Sequence, residues 1–325
     1  IYCCRAISLA TILWWQNTSY SLKTGKSSNP GEIAREMPAN FESIGVVVRN
    51  DMQSRQQSIR QVVDVLACHA EVLVHCLNFD EPLKEIPSVS LGQLVEEAEL
   101  VISLGGDGTL LTAARALADK NTPLLGINLG RLGFLADVSF EDFESYIEEV
   151  VAGRYSVEER FFIEGKFYRG DELISTNIAL NDIILHSPES ANMIEYEISS
   201  GGDLIHIQRS DGVIVSTPTG STAYALSGGG PIIHPSLETL AIVPICPHTL
   251  SNRPIVLPAD QPIELRLGQD TQLAKVSYDG HSTQLVKQQD RVLITRYREP
   301  LTLLHPEDYD YFEVLRAKLY WSTSY

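Results

Sequence analysis

Cysteine is scarce in this chain and follows no pattern. Among 325 residues there are five, Cys3, Cys4, Cys68, Cys76 and Cys246, and no C-x-x-C pair. No histidine stands at zinc-ligand spacing from them. A disulfide framework and a structural zinc site are therefore unsupported, and the odd count reads as the reduced thiols of a cytoplasmic protein. Cys68, Cys76 and Cys246 lie in apolar surroundings and are expected to fill core. Basic charge is also short: 25 Lys and Arg face 42 Asp and Glu, a formal charge of −17. Without a basic stripe, nucleic acid is not an expected partner. A polyanionic substrate would need local positive charge or a metal ion to overcome the overall repulsion.

A membrane-spanning run is missing too. Ile7–Trp15 is apolar but far short of the ~20 residues a span requires. Arg5 is its only basic flank and no good small-residue cleavage site follows, so a signal-peptide reading is weak and no membrane partner is expected. Residues 16–40 are polar and aperiodic, and the first methionine is Met37. These features predict a disordered extension over residues 1–40, with residues 1–36 being upstream sequence outside the working protein.

What remains has the make-up of a soluble globular protein, 44% hydrophobic and 21% charged, long enough for two domains. Apolar runs at 43–48, 71–76, 100–104 and 123–127 read as strands. Helical spacing recurs at 53–68, 91–98, 110–119 and 140–151. Strands alternating with helices predict a doubly wound parallel α/β domain over 41–152, with ligands beyond the carboxyl ends of the strands. From about 157 the period turns to alternation, in runs such as 161–168, 193–198, 204–208, 263–267 and 292–297. Turn signals at Gly170-Asp171, Gly201-Gly202-Asp203 and Asp279-Gly280 separate such runs. This predicts a layered, sandwich-like β domain over 153–298. Helical spacing returns at 306–319, so residues 299–325 are expected to pack back on the α/β domain.

Two glycine-bearing loops follow strand ends, at 105–109 and 128–134. The first, Gly105-Gly106-Asp107-Gly108-Thr109, is the more informative. Glycines let backbone approach a ligand, and the helix start behind them offers free N–H groups to phosphate oxygens. The carboxylate of Asp107 would repel phosphate unless it holds Mg²⁺ or takes a proton from an attacking hydroxyl. The loop therefore points to phosphoryl transfer to an alcohol; alone, it could equally be a turn whose Asp caps a helix. It is not a dinucleotide fingerprint, since Leu111 stands where G-x-G-x-x-G needs its third glycine. Gly25-Lys26-Ser27 is not the tail of a Walker A loop, since Tyr20 stands at its first glycine.

A second constellation interrupts the β region. From Arg209 to Pro231 the chain concentrates small and hydroxyl-bearing residues, Ser216, Thr217, Thr219, Ser221, Thr222 and Ser227, around one aromatic, Tyr224. The hydroxyls can donate to phosphate or ribose, and the ring offers a face to a base. Asn181-Asp182, before Ile183-Ile184-Leu185, reads alone as a turn or edge pair. Asp279-Gly280-His281 reads alone as a hairpin turn.

Taken in order, Gly105–Thr109, Asn181-Asp182 and Arg209–Pro231 resemble the NAD kinase family, bacterial members above all, from about Phe41 to the C-terminus. The resemblance implies transfer of the γ-phosphate of ATP to the 2′-hydroxyl of the adenosine ribose of NAD, with Mg²⁺ accompanying ATP. It makes Asp107 the general base, places Gly108 beside it against NAD, and assigns the phosphate loop to Gly105, Gly106, Gly108 and Thr109. It places NAD against Asn181, Asp182, Asn192, Arg209, Asp211, Thr222, Ala223, Tyr224, Ala225, Leu226, Ser227 and His281. Asp182 stands where many members carry Glu, Asn192 where relatives often carry His, and His281 at a variable position. No protein side chain is assigned to the metal. The resemblance also implies a homodimer or homotetramer whose NAD site is built partly by a neighbouring subunit. Two other readings share features of the sequence: a lipid kinase, which has the same Gly-Gly-Asp-Gly-Thr loop, and a non-catalytic NAD(P) sensor. The Arg209–Pro231 stretch disfavours the first and the retained Asp107 the second.

Overall fold

A computed structural model describes residues 41–49, 56–77, 86–130, 133–189, 192–249, 251–288 and 290–321. The expectations for residues 1–40 lie outside this set. The described residues open with β1 (Ser43–Arg49), α1 (Gln56–Leu66), β2 (Glu71–Leu77), α2 (Leu91–Glu97), β3 (Leu100–Gly105), α3 (Asp107–Ala116), β4 (Leu124–Asn128), a two-residue β5 (Val138–Ser139) and α4 (Phe143–Val151). Strands β2, β1, β3 and β4 lie side by side and parallel. The residues of β3 and β4 are buried throughout, as unbroken apolar runs under helices must be. Leu94 of α2 and Leu110, Ala113 and Ala114 of α3 share a core with Val47, Val101 and Leu124 of the sheet.

The second half is almost all strand: β6 (Ser156–Arg169), β7 (Glu172–Ala179), β8 (Asp182–His186), β9 (Ile194–Ser200), β10 (Asp203–Ser210) and β11 (Gly212–Ser216). A 3₁₀ turn (Thr219–Thr222) and the one-turn α5 (Tyr224–Ser227) follow. Then come β12 (Thr239–Ile245), β13 (Ile255–Pro258), β14 (Ile263–Leu267), β15 (Leu273–Tyr278), β16 (Ser282–Lys287), β17 (Asp290–His305) and α6 (Tyr311–Leu319). Strands β13, β12, β11, β8, β15 and β16 form one sheet; β6, β7, β9, β10, β14 and β17 belong to the other. Inward-facing residues of both, among them Phe161, Ile163 and Phe167 on one side and Val213, Val215 and Val276 on the other, make a common core.

The long strand β17 carries the chain from one region to the other. Its first part pairs with β14 and β6; after a register shift between Arg296 and Pro300 its last residues pair on one side with β6 and on the other, in parallel, with β4, Leu303 against Leu124 and Leu304 against Leu125. The return to the α/β region is thus begun by a strand. The C-terminal helix is shorter than its sequence pattern, because Pro306–Asp310 forms a turn and Asp310 caps the start of α6 by accepting the Phe312 N–H. Lys318 of α6 lies over the Phe134 ring. Within the α/β region, α3 begins at Asp107, three residues before its apolar pattern does. The thiols differ from expectation: Cys76 is buried, but Cys68 and Cys246 are exposed. Cys68 follows the end of α1, and Cys246 follows β12 in a left-handed backbone conformation that places it in a surface turn. No described helix is long and apolar enough to cross a membrane.

Candidate active site

Because α3 starts at Asp107, the acidic side chain sits in the first turn of a helix whose N-cap, Gly106, brings no side-chain cap. The carboxylate spans to the second glycine-bearing loop and accepts three backbone N–H groups: Phe134 at 3.0 Å, and Leu135 and Ala136 at 3.2 Å each. Gly133 makes this approach possible, since a Cβ there would collide with Asp107 Oδ1. Gly106 and Gly108 face open space, which leaves room for a phosphate at the helix start. Gly105 and Thr109 do not. Both are buried, and a Cβ on Gly105 would strike Thr109 Oγ1, so these two pack the base of the loop and only Gly106 and Gly108 line its open side.

The Asn181-Asp182 pair is held by a residue that sequence reasoning read as a turn former. Asp279, with its side chain fully buried, accepts the N–H groups of Leu180 (2.9 Å), Asn181 (2.8 Å) and Asp182 (3.2 Å). It also meets Arg115 of α3 at 3.4 Å, which joins that helix to the β layers. Its φ of +48° is the left-handed conformation that Asp tolerates at a hairpin turn. Asp182 is 4% exposed. Burial first, and the charge of Asp279 second, push its carboxyl up to about 7. The side-chain oxygen of Asn181 is buried without a hydrogen-bond partner among the described residues. Buried acceptors are seldom left so unless a ligand or water completes them.

The Arg209–Pro231 stretch folds over this pair. Thr217 donates its N–H to Asn181 O at 2.9 Å and its hydroxyl to Leu180 O at 2.5 Å. Gly220 lies so close to Asn181 O that a Cβ would overlap it. Ala225 is fully buried in a small core with Ile184, Ile214 and Val243, and its carbonyl accepts the Gly230 N–H at 2.9 Å, so it anchors α5. Tyr224, one residue before, is 47% exposed. It borders a cleft of about 370 Å³ together with Asn192, Asp211, Glu189, His186 and Ser277. Thr222, Ala223 and Leu226 are half-buried around Tyr224, and Ser227 is exposed. The structure thus gathers Asn192, Asp211 and Tyr224 at one cleft and joins Asn181 and Asp182 to the neighbouring segment. Arg209 stands exposed on β10, the edge strand of its sheet, outside that cleft. His281 is exposed at the β15–β16 turn; partial burial and the charge of Arg115 hold its imidazole below the ordinary value, with Asp279 opposing.

Sequence reasoning missed Asp279, Gly133, Phe134–Ala136, Glu189 and Ser277. The Asp-Gly turn and the second glycine loop were both visible, but not that each would grip a site segment. Among the described residues, no three His, Cys, Asp or Glu side chains converge to hold a metal ion.

Two family models match the chain, the ATP-NAD kinase N-terminal domain over residues 28–155 and the ATP-NAD kinase C-terminal domain over residues 180–305. The chain belongs to the NAD kinase family. It is 42% identical over 287 residues to an NAD kinase of Thiobacillus denitrificans, covering 88% of this chain and 99% of that one. It is 48% identical over 293 residues to an NAD kinase of Cellvibrio japonicus, covering 87% and 97%. Among solved structures it is similar to yeast NADH kinase complexed with NADH, with TM-score 0.78 and 25% identity over 88% of this chain and 89% of that one. It is also similar to an NAD kinase from Archaeoglobus fulgidus in complex with ATP, with TM-score 0.67 and 27% identity over 85% and 98%.

Proposed function

We propose that the protein transfers the γ-phosphate of ATP to the 2′-hydroxyl of the adenosine ribose of NAD, giving NADP and ADP, with Asp107 as general base. The observation that carries this reading is the Asp107 carboxylate, aimed by three N–H bonds beside an uncapped, glycine-lined helix start. A carboxylate has about four lone-pair positions, so one is left to receive a hydroxyl proton. The amides around Gly106 and Gly108 take phosphate oxygens. Asn181 and Asp182 orient the ribose, and the cleft at Tyr224, Asn192 and Asp211 holds the adenine end. A divalent ion, Mg²⁺ being suited because it binds through phosphates and retained waters, would neutralise the triphosphate with no cage of protein ligands. The remaining family assignments, Arg209 and His281 among them, fit a site shared with a second copy in a cytoplasmic homodimer or homotetramer.

The test is product formation. Purified protein is incubated with ATP, Mg²⁺ and NAD, and NADP is read with an NADP-specific dehydrogenase; a parallel incubation supplies diacylglycerol or sphingosine in place of NAD. NADP formation that stops on chelation supports the reading. Lipid phosphorylation without NADP would favour a lipid kinase, and NAD binding without turnover a sensor.

A further inference from the structure

A buried charge network, unused so far in the reaction, joins the two walls of the site. His305, the last residue of β17, is 2% exposed. Its Nδ1 lies 2.7 Å from Asp137 Oδ2 and its Nε2 lies 3.1 Å from Glu158 Oε2. Ionised carboxylates only accept, so a ring bonded to two of them donates from both nitrogens as an imidazolium. Glu158 Oε2 also accepts from Arg160 Nη2 at 2.6 Å, and Arg160 Nη1 donates to Thr219 Oγ1 at 3.2 Å. Two cations therefore face two carboxylates, a balance that a dry interior requires. The Tyr309 ring stacks on the imidazole, with centroids 4.0 Å apart and planes 15° apart.

The ends of this chain of bonds give it meaning. Asp137 directly follows Phe134–Ala136, whose N–H groups hold the Asp107 carboxylate. Thr219 opens the turn that leads to Tyr224. We propose that His305 is a positioning residue for phosphoryl transfer: by donating to Asp137 and Glu158 at once, it fixes the Asp107-holding loop against the Thr219–Ser227 segment. His305 touches no substrate and acts through Asp107, so the inference rests on the reading of Asp107 as base.

The test is kinetic, on the full chain. In His305→Gln the amide can donate at one end only, and its carbonyl oxygen faces a carboxylate at the other. Turnover should fall at least ~10-fold while KM for ATP and NAD changes by less than about 3-fold, as expected for a misplaced catalytic group. Leu265→Ala, in the core of the β layers and outside the network, serves as the reference. At a temperature well below both melting points it should keep its turnover even where it loses as much stability. In the double variant His305→Gln/Asp107→Asn, turnover should match that of Asp107→Asn alone, because a positioning effect vanishes with the group positioned. Normal turnover in His305→Gln, equal loss in Leu265→Ala, or multiplying losses in the double variant would each overturn the proposal. Slow Asp107→Asn beside full-speed His305→Gln would overturn this inference alone. Full-speed Asp107→Asn would overturn the base reading and this inference with it. Should the Gln variant not fold, Asp137→Asn, which keeps the shape and one acceptor oxygen, is read by the same criteria.

Discussion

Single atoms decide much at this site. The Gly133 hydrogen stands where any Cβ would meet the Asp107 carboxylate. Gly133→Ala must therefore push the carboxylate off the Phe134–Ala136 amides. Each buried donor left without its partner costs about 1–3 kcal/mol, and a catalytic group displaced by ~1 Å can lose about 100-fold in rate. The expected outcome is a folded protein with a lower melting temperature and a turnover reduced by that order; unchanged turnover would show that the carboxylate's position is immaterial. Tyr224 makes a different kind of claim. Its ring borders the cleft and leaves the core to its neighbour Ala225. Replacement by Ala removes a stacking face worth about 1–3 kcal/mol, which is roughly 5- to 150-fold in NAD affinity. Calorimetry should find weaker NAD binding with little change in melting temperature, whereas an unchanged Kd would remove the ring from the ligand site.

At the scale of elements, a side chain from one segment repeatedly holds the backbone of another. Asp107 of α3 holds the 134–136 loop, and Asp279 of the β15–β16 turn holds residues 180–182. Asp279→Ala would strand three N–H donors and free Arg115. It should destabilise the fold by at least ~2 kcal/mol and loosen the Asn181-Asp182 pair, so that KM for NAD rises. A denaturant midpoint at the wild-type value would contradict this. The strands and helices themselves were legible because hydrophobic period reports burial directly: the unbroken run of β3 and the alternation along β9 both appear as written. The start of α3 was not, because Gly-Asp-Gly-Thr lacks the apolar spacing that marks a helix, and the uncapped N-cap glycine gives no capping signal. The cross-chain grips were illegible for a plainer reason. Nothing in local sequence relates Asp279 to Leu180, and the buried roles of Thr109 and Ala225 come from packing that their polarity and size leave open.

For the molecule as a whole, the buried histidine sets a pH dependence. Burial pulls the His305 imidazole down, but its bonds to Asp137 and Glu158 outweigh that and raise it to about 9, against an ordinary value of 6.5. Glu158, partly buried, is pushed up by that burial, but its bonds to His305 and the charge of Arg160 outweigh it and hold the carboxyl below its usual value. The folded protein thus keeps a proton that the unfolded chain releases above about 6.5. The stability due to His305 is complete below that pH and is lost as pH rises through about 9. Asp182, raised to about 7, acts with the same sign at lower pH. Melting temperature should fall from near neutrality towards pH 9, and His305→Gln should flatten the slope; identical slopes would mean that the ring is not charged in the fold. At this scale too, a net charge of −17 opposes the binding of polyanionic substrates, and the proposed role of Asp107 requires its carboxylate to be placed where it helps the reaction. The most direct measurement is the turnover of Asp107→Asn at saturating ATP, Mg²⁺ and NAD. The variant should fold, still bind NAD and be slowed by about 10²- to 10⁴-fold; turnover within a few-fold of wild type would contradict the role of Asp107 as base.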